Sequence, residues 1–523
     1  MKSFDFKEVD FYSSLINDYL SGELKNKGLI DWDYSIEQIN KNKSRDYSSR
    51  TRKIVHEELI KQYSRFELTE KETENLNLFS LNNSFTITTG HQLMLLGGPM
   101  FFYTKIIDVI KLCNEVSTLD SPVLPVFWMA SEDHDYEEIS KVNLFGKVID
   151  CPGKNEGPVG RIEAKYFDDF LEKVNQIIGE GAQFSKIKKQ INKAFLKGEN
   201  LSEITQIFVR ELFKDDGLLI IDADKPELKL LFREVAKDEV FKNKSAKSSE
   251  GHLEELSKDY KIQVTPREIN LFYIDDNFRK RIIEVENGFA TSDGIFNWSR
   301  EEMVFLLSEC SDRISPNVIL RPVYQEVLLP NLAYVGGAGE IAYWLELKPV
   351  FKAFNIDFPL PLIRTSYFIL PEKNKTWLET QGIELIKLFE DIDVLINEFA
   401  KSLSGDNINF EKEFEELKKF YEALRFKGDK VSSQLEKVII GEEKRAFSAL
   451  KNVEKRFLKA EKIKFEQVLN KLRNIKDKLF PKNKPMERID SFIPLISNPD
   501  IEFKSTLENT PSLFQKSIVI IKS

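Results

Sequence analysis

The chain has four histidines, His56, His91, His134 and His252. Two of them, His91 and His134, stand just behind short apolar runs. His134 belongs to SEDHDYEE (131–138), where Glu132, Asp133, His134 and Asp135 follow the run PVFWMA without a break. Setting that much charge against a core is costly unless a ligand, a metal or a cation compensates it. The chemistry it suits is capture of an ammonium group or a divalent cation, with carboxylate-assisted proton transfer through His134. Trp128, inside the apolar run, is the expected wall of such a site. The competing reading is a solvated loop whose acids cap a helix N-terminus.

A second candidate is TTGHQLMLLGGP (88–99). Gly90, Gly97 and Gly98 allow close backbone approach, and the helix that follows offers free N–H groups to an anion. His91 could donate to a phosphate or carboxylate, and Lys105 lies about a turn and a half into that helix. The segment matches neither a dinucleotide fingerprint nor a Walker sequence, so a plain strand-to-helix turn is the alternative. The third is RPVYQEVLLPNLAYVGGAGEIAYW (321–344). Arg321 can fork onto a carboxylate or phosphate. Gln325 and Glu326 share its helix, and Gly336, Gly337 and Gly339 form another open turn ahead of Glu340 and Tyr343.

These segments need elements to hold them. FTITT (85–89) reads as a strand, 101–116 as a helix with Pro99 ahead of it, and VLPVFWMA (123–130) as a strand buried on both faces. That is a βαβ unit, so the fold class is α/β with a parallel sheet. GLLIIDAD (217–224) repeats the strand texture, and 317–351 reads as strand, helix, short strand, glycine turn and helix. Residues 1–80 read as a polar helical segment on a core spanning 81–370, with insertions at about 150–215 and 225–315. KNKSAKSSE (242–250) reads as a linker.

Over 371–480 apolar residues step by three and four. The series run through Leu385, Leu388, Ile392, Leu395 and Phe399, then Phe410, Phe414, Leu417, Tyr421 and Leu424. They resume at Leu450, Val453, Phe457 and Ala460, and end with Phe465, Val468, Leu472, Ile475 and Leu479. This predicts an antiparallel helical coiled coil with a turn at Gly405, a long second helix breaking near Gly428 or Gly441, and a homodimer contact. A lone hairpin on the core is the alternative. Residues 481–523, ending SIVIIK, read as a strand-bearing cap.

Composition removes several function classes. Lys and Arg total 76 against 85 acids, a net charge of −9, which disfavours nucleic acid as a partner. Cys113, Cys151 and Cys310 form no paired motif, which suits a reducing cytoplasm. No apolar stretch approaches the roughly 20 residues of a membrane span, and the N-terminal residues carry no secretion pattern. The expectation is a cytoplasmic protein with no membrane partner.

TGHQ with GP at 89–99, PVFWMASEDHDYEEI (125–139), SPNVILRPVYQEVLLPNLAYVGGAGEIAYW (315–344) and KPMERIDSFIP (484–494) together resemble the cysteine-adding enzymes of bacillithiol biosynthesis, the BshC family. The resemblance spans essentially the whole chain. Many members read TGQQ where this chain has TGHQ, which favours Gln92 over His91 as the family residue. The resemblance implies a Rossmann-type core related to nucleotidyltransferases, connecting-peptide insertions and a dimerising C-terminal coiled coil. It implies a ligase that joins cysteine to the amine of glucosaminyl-malate. Amide formation in water is uphill, so ATP is the expected activator of the carboxyl, while no metal is assigned. The paired signature segments of other adenylate-forming Rossmann ligases are not recognisable here. A binding scaffold that delivers a nucleotide or sugar without its own catalysis is the alternative function.

Overall fold

The computed structural model describes residues 1–9, 11–153, 156–404 and 410–522. At its centre lie strands β1 (Phe85–His91), β2 (Val123–Met129), β3 (Leu219–Asp222), β4 (Asn331–Gly336) and β5 (Leu360–Ile363). All pair in parallel, in the order 5-4-1-2-3. The sheet is therefore doubly wound, and its topological switch point lies between β1 and β4. The continuous apolar texture of β2 has a direct cause. Val126 and Trp128 enter one hydrophobic core while Phe127 and Met129 enter the other. Each such buried large side chain contributes roughly 1.5–3 kcal/mol. Pro125 is tolerated inside β2 because β3 pairs only from Val126 onward, so no ladder donor is lost on that side.

Helices cover both faces. α1 (Met100–Val116) joins β1 to β2, α2 (Pro226–Lys242) follows β3, α3 (Arg321–Leu328) precedes β4, and α4 (Ala338–Glu346) follows it. The chain between β3 and β4 also carries an antiparallel five-stranded sheet, Asn297–Trp298, Gly288–Thr291, Phe278–Val285, Leu271–Asp275 and Ile314–Pro316 in spatial order. Residues 317–320, read as a strand, form a turn instead. The Asn317 side chain accepts the amides of Ile319 and Leu320 and so opens α3. Residues 242–250 are not a linker: a helix runs over Lys244–Ser257. The buried Glu239 carboxylate accepts the Ser245 amide and hydroxyl and fixes where that helix starts.

Two features escaped the sequence. Lys2–Asp5 is a strand, paired antiparallel with Ser517–Lys522, which in turn pairs in parallel with Ser366–Leu370. Both ends of the chain thus close one three-stranded sheet. Against it pack α5 (Ile392–Ser404) and α8 (Glu466–Leu479), burying Leu395, Phe399, Leu472 and Ile475. Beyond them, α6 (Glu411–Asp429) and α7 (Ser433–Lys464) run antiparallel, with contacts such as Phe414–Phe447 and Arg425–Glu443. Gly405 lies outside the described residues. The observed reversal is at 430–432, next to Gly428, where a Cβ would stand 2.5 Å from Ile439. Gly441 passes through α7 without a break. The α7 seam follows the predicted one in part: Leu450 is half-buried and Phe457 meets Phe410, while Val453 is exposed and Phe447 and Leu458, outside the predicted series, are half-buried. No helix among the described residues is long and apolar enough to cross a membrane.

Candidate active site

A cavity of about 1540 Å³ opens over the carboxyl ends of β1, β2 and β4, at the switch point. The strand ends, the turn before α4, the insertion sheet and the segment after α8 all line it. Of the residues singled out by sequence, Gly90, His91, Gln92, Trp128, Glu132, Asp133, His134, Arg321, Gly337, Glu340 and Tyr343 line it together.

Gly90 lies where backbone and cation meet. A Cβ there would stand 3.3 Å from Tyr334 Oη and 3.4 Å from Arg321 Nη1, so a larger residue would crowd both side chains. Beneath it Lys105 is buried behind the wall, donating to the Gly90 carbonyl at 2.6 Å and to Glu340 Oε2 at 3.0 Å. Glu340 also accepts the Gly337 amide at 2.8 Å and Tyr334 Oη–H at 3.0 Å. Burial pushes its carboxyl up, but the Lys105 ammonium and the Gly337 amide outweigh that and hold it at about 2. Glu340 is thus a fixed anion that pins the turn leading into α4. The first-turn amides of α4 have no intrahelical partner, and Gly339 has open space above it.

Next to that turn stand two arginines. Arg321 is oriented by Gln325, whose Oε1 accepts from Nη1 at 3.1 Å. Gln325 itself is buried outside the cavity lining. Glu326 lies deeper, accepting from Gln325 and Asn331, and burial pushes its carboxyl up to about 7. Arg364, directly after β5, makes a two-pronged pair with Glu487 at 2.8 and 2.7 Å, yet its Nε is buried with no partner among the described residues. Arg488 and Lys484 join this wall from the segment after α8. His91 Nε2 is also buried with no partner among the described residues. Burial, reinforced by the Lys105 ammonium, brings the ring's pKa down to about 3, so the imidazole is neutral at physiological pH.

The opposite wall is acidic. Asp133 accepts Gln92 Nε2 at 2.9 Å and the His134 amide at 2.7 Å, with Arg279 3.9 Å away. Burial opposes its charge, but these partners hold its carboxyl well below the usual range. Glu132 pairs at 2.6 Å with the buried Lys229, which Asp224 also binds at 2.8 Å. Asp224 is fixed by Arg161 at 2.8 and 2.9 Å. Desolvation pushes the carboxyls of Glu132 and Glu138 up.

Other predicted residues stand elsewhere. Asp135 does not line the cavity; it caps the short helix Tyr136–Ile139 by accepting the Glu138 amide. Gly336 ends β4 behind the lining. Gly98, at φ +68°, shapes the turn against Met94 without reaching the cavity. The N-terminus of α1, the expected anion seat, is partly covered: the Met100 amide donates to the Asp490 carbonyl at 2.7 Å. No group of three His, Cys, Asp or Glu side chains with metal-binding geometry occurs among the described residues.

Sequence reasoning missed Arg279, Arg364, Tyr334 and Arg488. For Arg364 a signal existed, since FPLPLIR (358–364) is an apolar run ending in charge, the same texture as PVFWMASED. For Arg279, in FRKRIIEV, no spacing separates it from Lys280 and Arg281, which are also half-buried.

Comparison with known proteins agrees with this architecture. Residues 1–365 match the family model described as "Bacillithiol biosynthesis BshC, N-terminal Rossmann-like domain". Residues 367–523 match "Bacillithiol biosynthesis BshC, C-terminal coiled-coil domain". Relatives named "Putative cysteine ligase BshC" include that of Flavobacterium johnsoniae, 37% identical over 492 residues and 93% of each chain. That of Flavobacterium psychrophilum is 38% identical over 493 residues and 93% of each chain. That of Bacillus cereus is 25% identical over 537 residues, covering 99% of this chain and 100% of its own. With both domain models matched in order and relatives of this identity along nearly its whole length, the chain belongs to the BshC family of bacillithiol biosynthesis.

Proposed function

We propose that the protein is a cysteine ligase that joins the cysteine carboxyl to the glucosamine amine of glucosaminyl-malate, giving bacillithiol. One observation carries the reading: the cavity is lined by an acid-rich and a base-rich cluster. Glu132, Asp133 and Glu138 stand together with Arg279 beside Asp133, and Arg321, Arg364, Arg488 and Lys484 stand together with Glu340, whose charge Lys105 offsets. A substrate with an amine at one end and carboxylates at the other matches that polarity. In this reading the acidic side draws in the ammonium group and accepts its proton, leaving the neutral amine to attack. The basic side, with the first-turn amides of α4, holds the malyl carboxylates. Cysteine is activated at its carboxyl by ATP, as an acyl-adenylate or acyl-phosphate, and the phosphate charges fall to the same basic side. Arg364 Nε, a donor buried with no partner among the described residues, favours an anionic occupant there. The coiled coil is proposed to join two copies in the cytoplasm.

The test is direct. Purified protein is incubated with glucosaminyl-malate, cysteine and ATP, and bacillithiol is sought by thiol labelling and mass. Product formation with ATP consumption that needs both cosubstrates supports the ligase; saturable binding without turnover supports a delivery scaffold. If Asp133→Ala and His134→Ala both make product as fast as the wild type, the site assignment is wrong.

A further inference from the structure

His134 borders the acidic side, yet its neighbours limit what it can do there. Arg279 reaches it from the insertion-sheet strand Phe278–Val285, its side chain only 8% exposed. The guanidinium is held on three sides. Nε donates to Ser315 Oγ at 3.2 Å, Nη2 donates to the Pro316 carbonyl at 2.8 Å, and the plane lies 4.1 Å from the centre of the Phe272 ring. The remaining nitrogen, Nη1, stands 3.0 Å from His134 Nδ1. A guanidinium has donors and no acceptor. The ring nitrogen facing it at that distance is therefore the one with the lone pair.

The rival partner for Nδ1 is Asp133 Oδ1, at 3.5 Å. That oxygen already takes the His134 amide at 2.7 Å, and Oδ2 takes Gln92 at 2.9 Å. A proton on Nδ1 would trade a good hydrogen bond for a long one and leave a buried guanidinium N–H facing an N–H.

We propose that Arg279 is a positioning residue that fixes His134 in the tautomer with its proton on Nε2. His134 then presents a hydrogen-bond donor to the cavity it lines and has no lone pair free to take a proton from the attacking amine. Which substrate oxygen receives that bond rests on the ligase reading above; on that reading it is the carboxyl oxygen of cysteine, where negative charge grows as the amine adds. Proton removal falls to the carboxylates of the acidic side. The insertion sheet thereby has a part in the chemistry, since a shift of the strand Phe278–Val285 would release the tautomer.

The experiment reads the tautomer and not turnover, so it stands or falls apart from the ligase reading. Full-length protein is labelled with ¹⁵N-histidine and examined at about pH 8, above the ordinary histidine pKa, by long-range ¹H–¹⁵N correlation. The chain has four histidines, and the pattern lost in His134→Gln identifies the one of interest. The wild type is expected to carry its proton on Nε2. Free imidazole leans the same way, so the variants decide. In Arg279→Met the donor is gone and Nδ1 is expected to gain a proton shared with Asp133. In Asp133→Asn, which keeps Arg279, the wild-type pattern is expected to persist. A proton on Nδ1 in the wild type overturns the proposal. So does a tautomer that changes in Asp133→Asn, or one that stays unchanged in a folded Arg279→Met. Should Arg279→Met fail to fold, the ¹⁵N shift of Nδ1 in the wild type decides: a hydrogen bond received from Arg279 moves it upfield of a free lone-pair imidazole nitrogen, and a free value overturns the proposal.

Discussion

Replacing Lys105 by Met shortens the side chain by one atom and removes its charge. Lys105 is 1% exposed and ties Glu340 to the Gly90 carbonyl. Without it, Glu340 keeps the Gly337 amide and Tyr334 hydroxyl but becomes a carboxylate with no cation beside it. The fall of its pKa from 4.5 to about 2 corresponds to about 3 kcal/mol of stabilisation of the folded, ionised form. Glu340 is 30% exposed, so solvent screening trims this to about 2 kcal/mol. Burial pulls the Lys105 pKa down, so removing its ammonium also relieves a desolvation cost; a deficit of about 1–2 kcal/mol at pH 7 is therefore expected, below the about 3–5 kcal/mol of breaking a fully buried pair. The sign with pH is set by the depressed carboxyl. Its contribution is complete above pH 4.5 and is lost as pH falls toward 2. The deficit of Lys105→Met should accordingly shrink between pH 5 and pH 3, by rough expectation from the same linkage. The assay is urea unfolding followed by fluorescence of the buried Trp128 and Trp344, reading the core transition, since a chain this long need not unfold in one step. Adding Glu340→Gln should recover much of the loss, because no unpaired buried charge remains. A deficit under about 1 kcal/mol at pH 7, or no recovery in the double variant, would refute the reasoning.

Arg321→Met is expected to raise KM for glucosaminyl-malate about 10- to 100-fold, the loss of a charge-assisted contact, with a smaller change in kcat; an unchanged KM in steady-state kinetics argues against an anion seat there. Asp133→Asn should lower kcat/KM about 10²-fold or more. Because Asp133 is held below the usual carboxylate range, the wild-type acid limb should not track its protonation above about pH 4, and a pH–rate profile checks this. Phe426 and Val438 are 65% and 59% exposed on α6 and α7. If two copies meet along this hairpin, Phe426→Glu with Val438→Glu should yield folded monomer by light scattering, and an unchanged dimer contradicts that contact.

The elements around the site could be read from local pattern because their signals are local. β1, β2 and α1 announce themselves by unbroken apolar runs and helical spacing, and the abrupt charge after PVFWMA marks the strand's open end. The hairpin helices were equally plain, yet their partner faces were not. Val453 fits the period as well as Phe447 and Leu458 do, and only the opposing helix decides which stripe it covers. The N-terminal strand Lys2–Asp5 had too little pattern of its own, since it exists by pairing with a strand more than 500 residues away.

By itself, then, the sequence determined the principal strands and helices of a parallel α/β core, and that Glu132, Asp133, His134 and Glu340 stand at strand ends or glycine turns. Spacing carries that much because backbone periodicity and burial are short-range. Tertiary structure alone decided which charges face one another. Lys105 was expected to meet a ligand and instead neutralises Glu340, Lys229 holds Glu132, and Arg279 faces the Nδ1 of a histidine 145 residues away. Electrostatic partnership depends on distance through space and on exclusion of water, and both are set when the sheet order 5-4-1-2-3 brings the ends of β1 and β4 together beneath the insertion sheet.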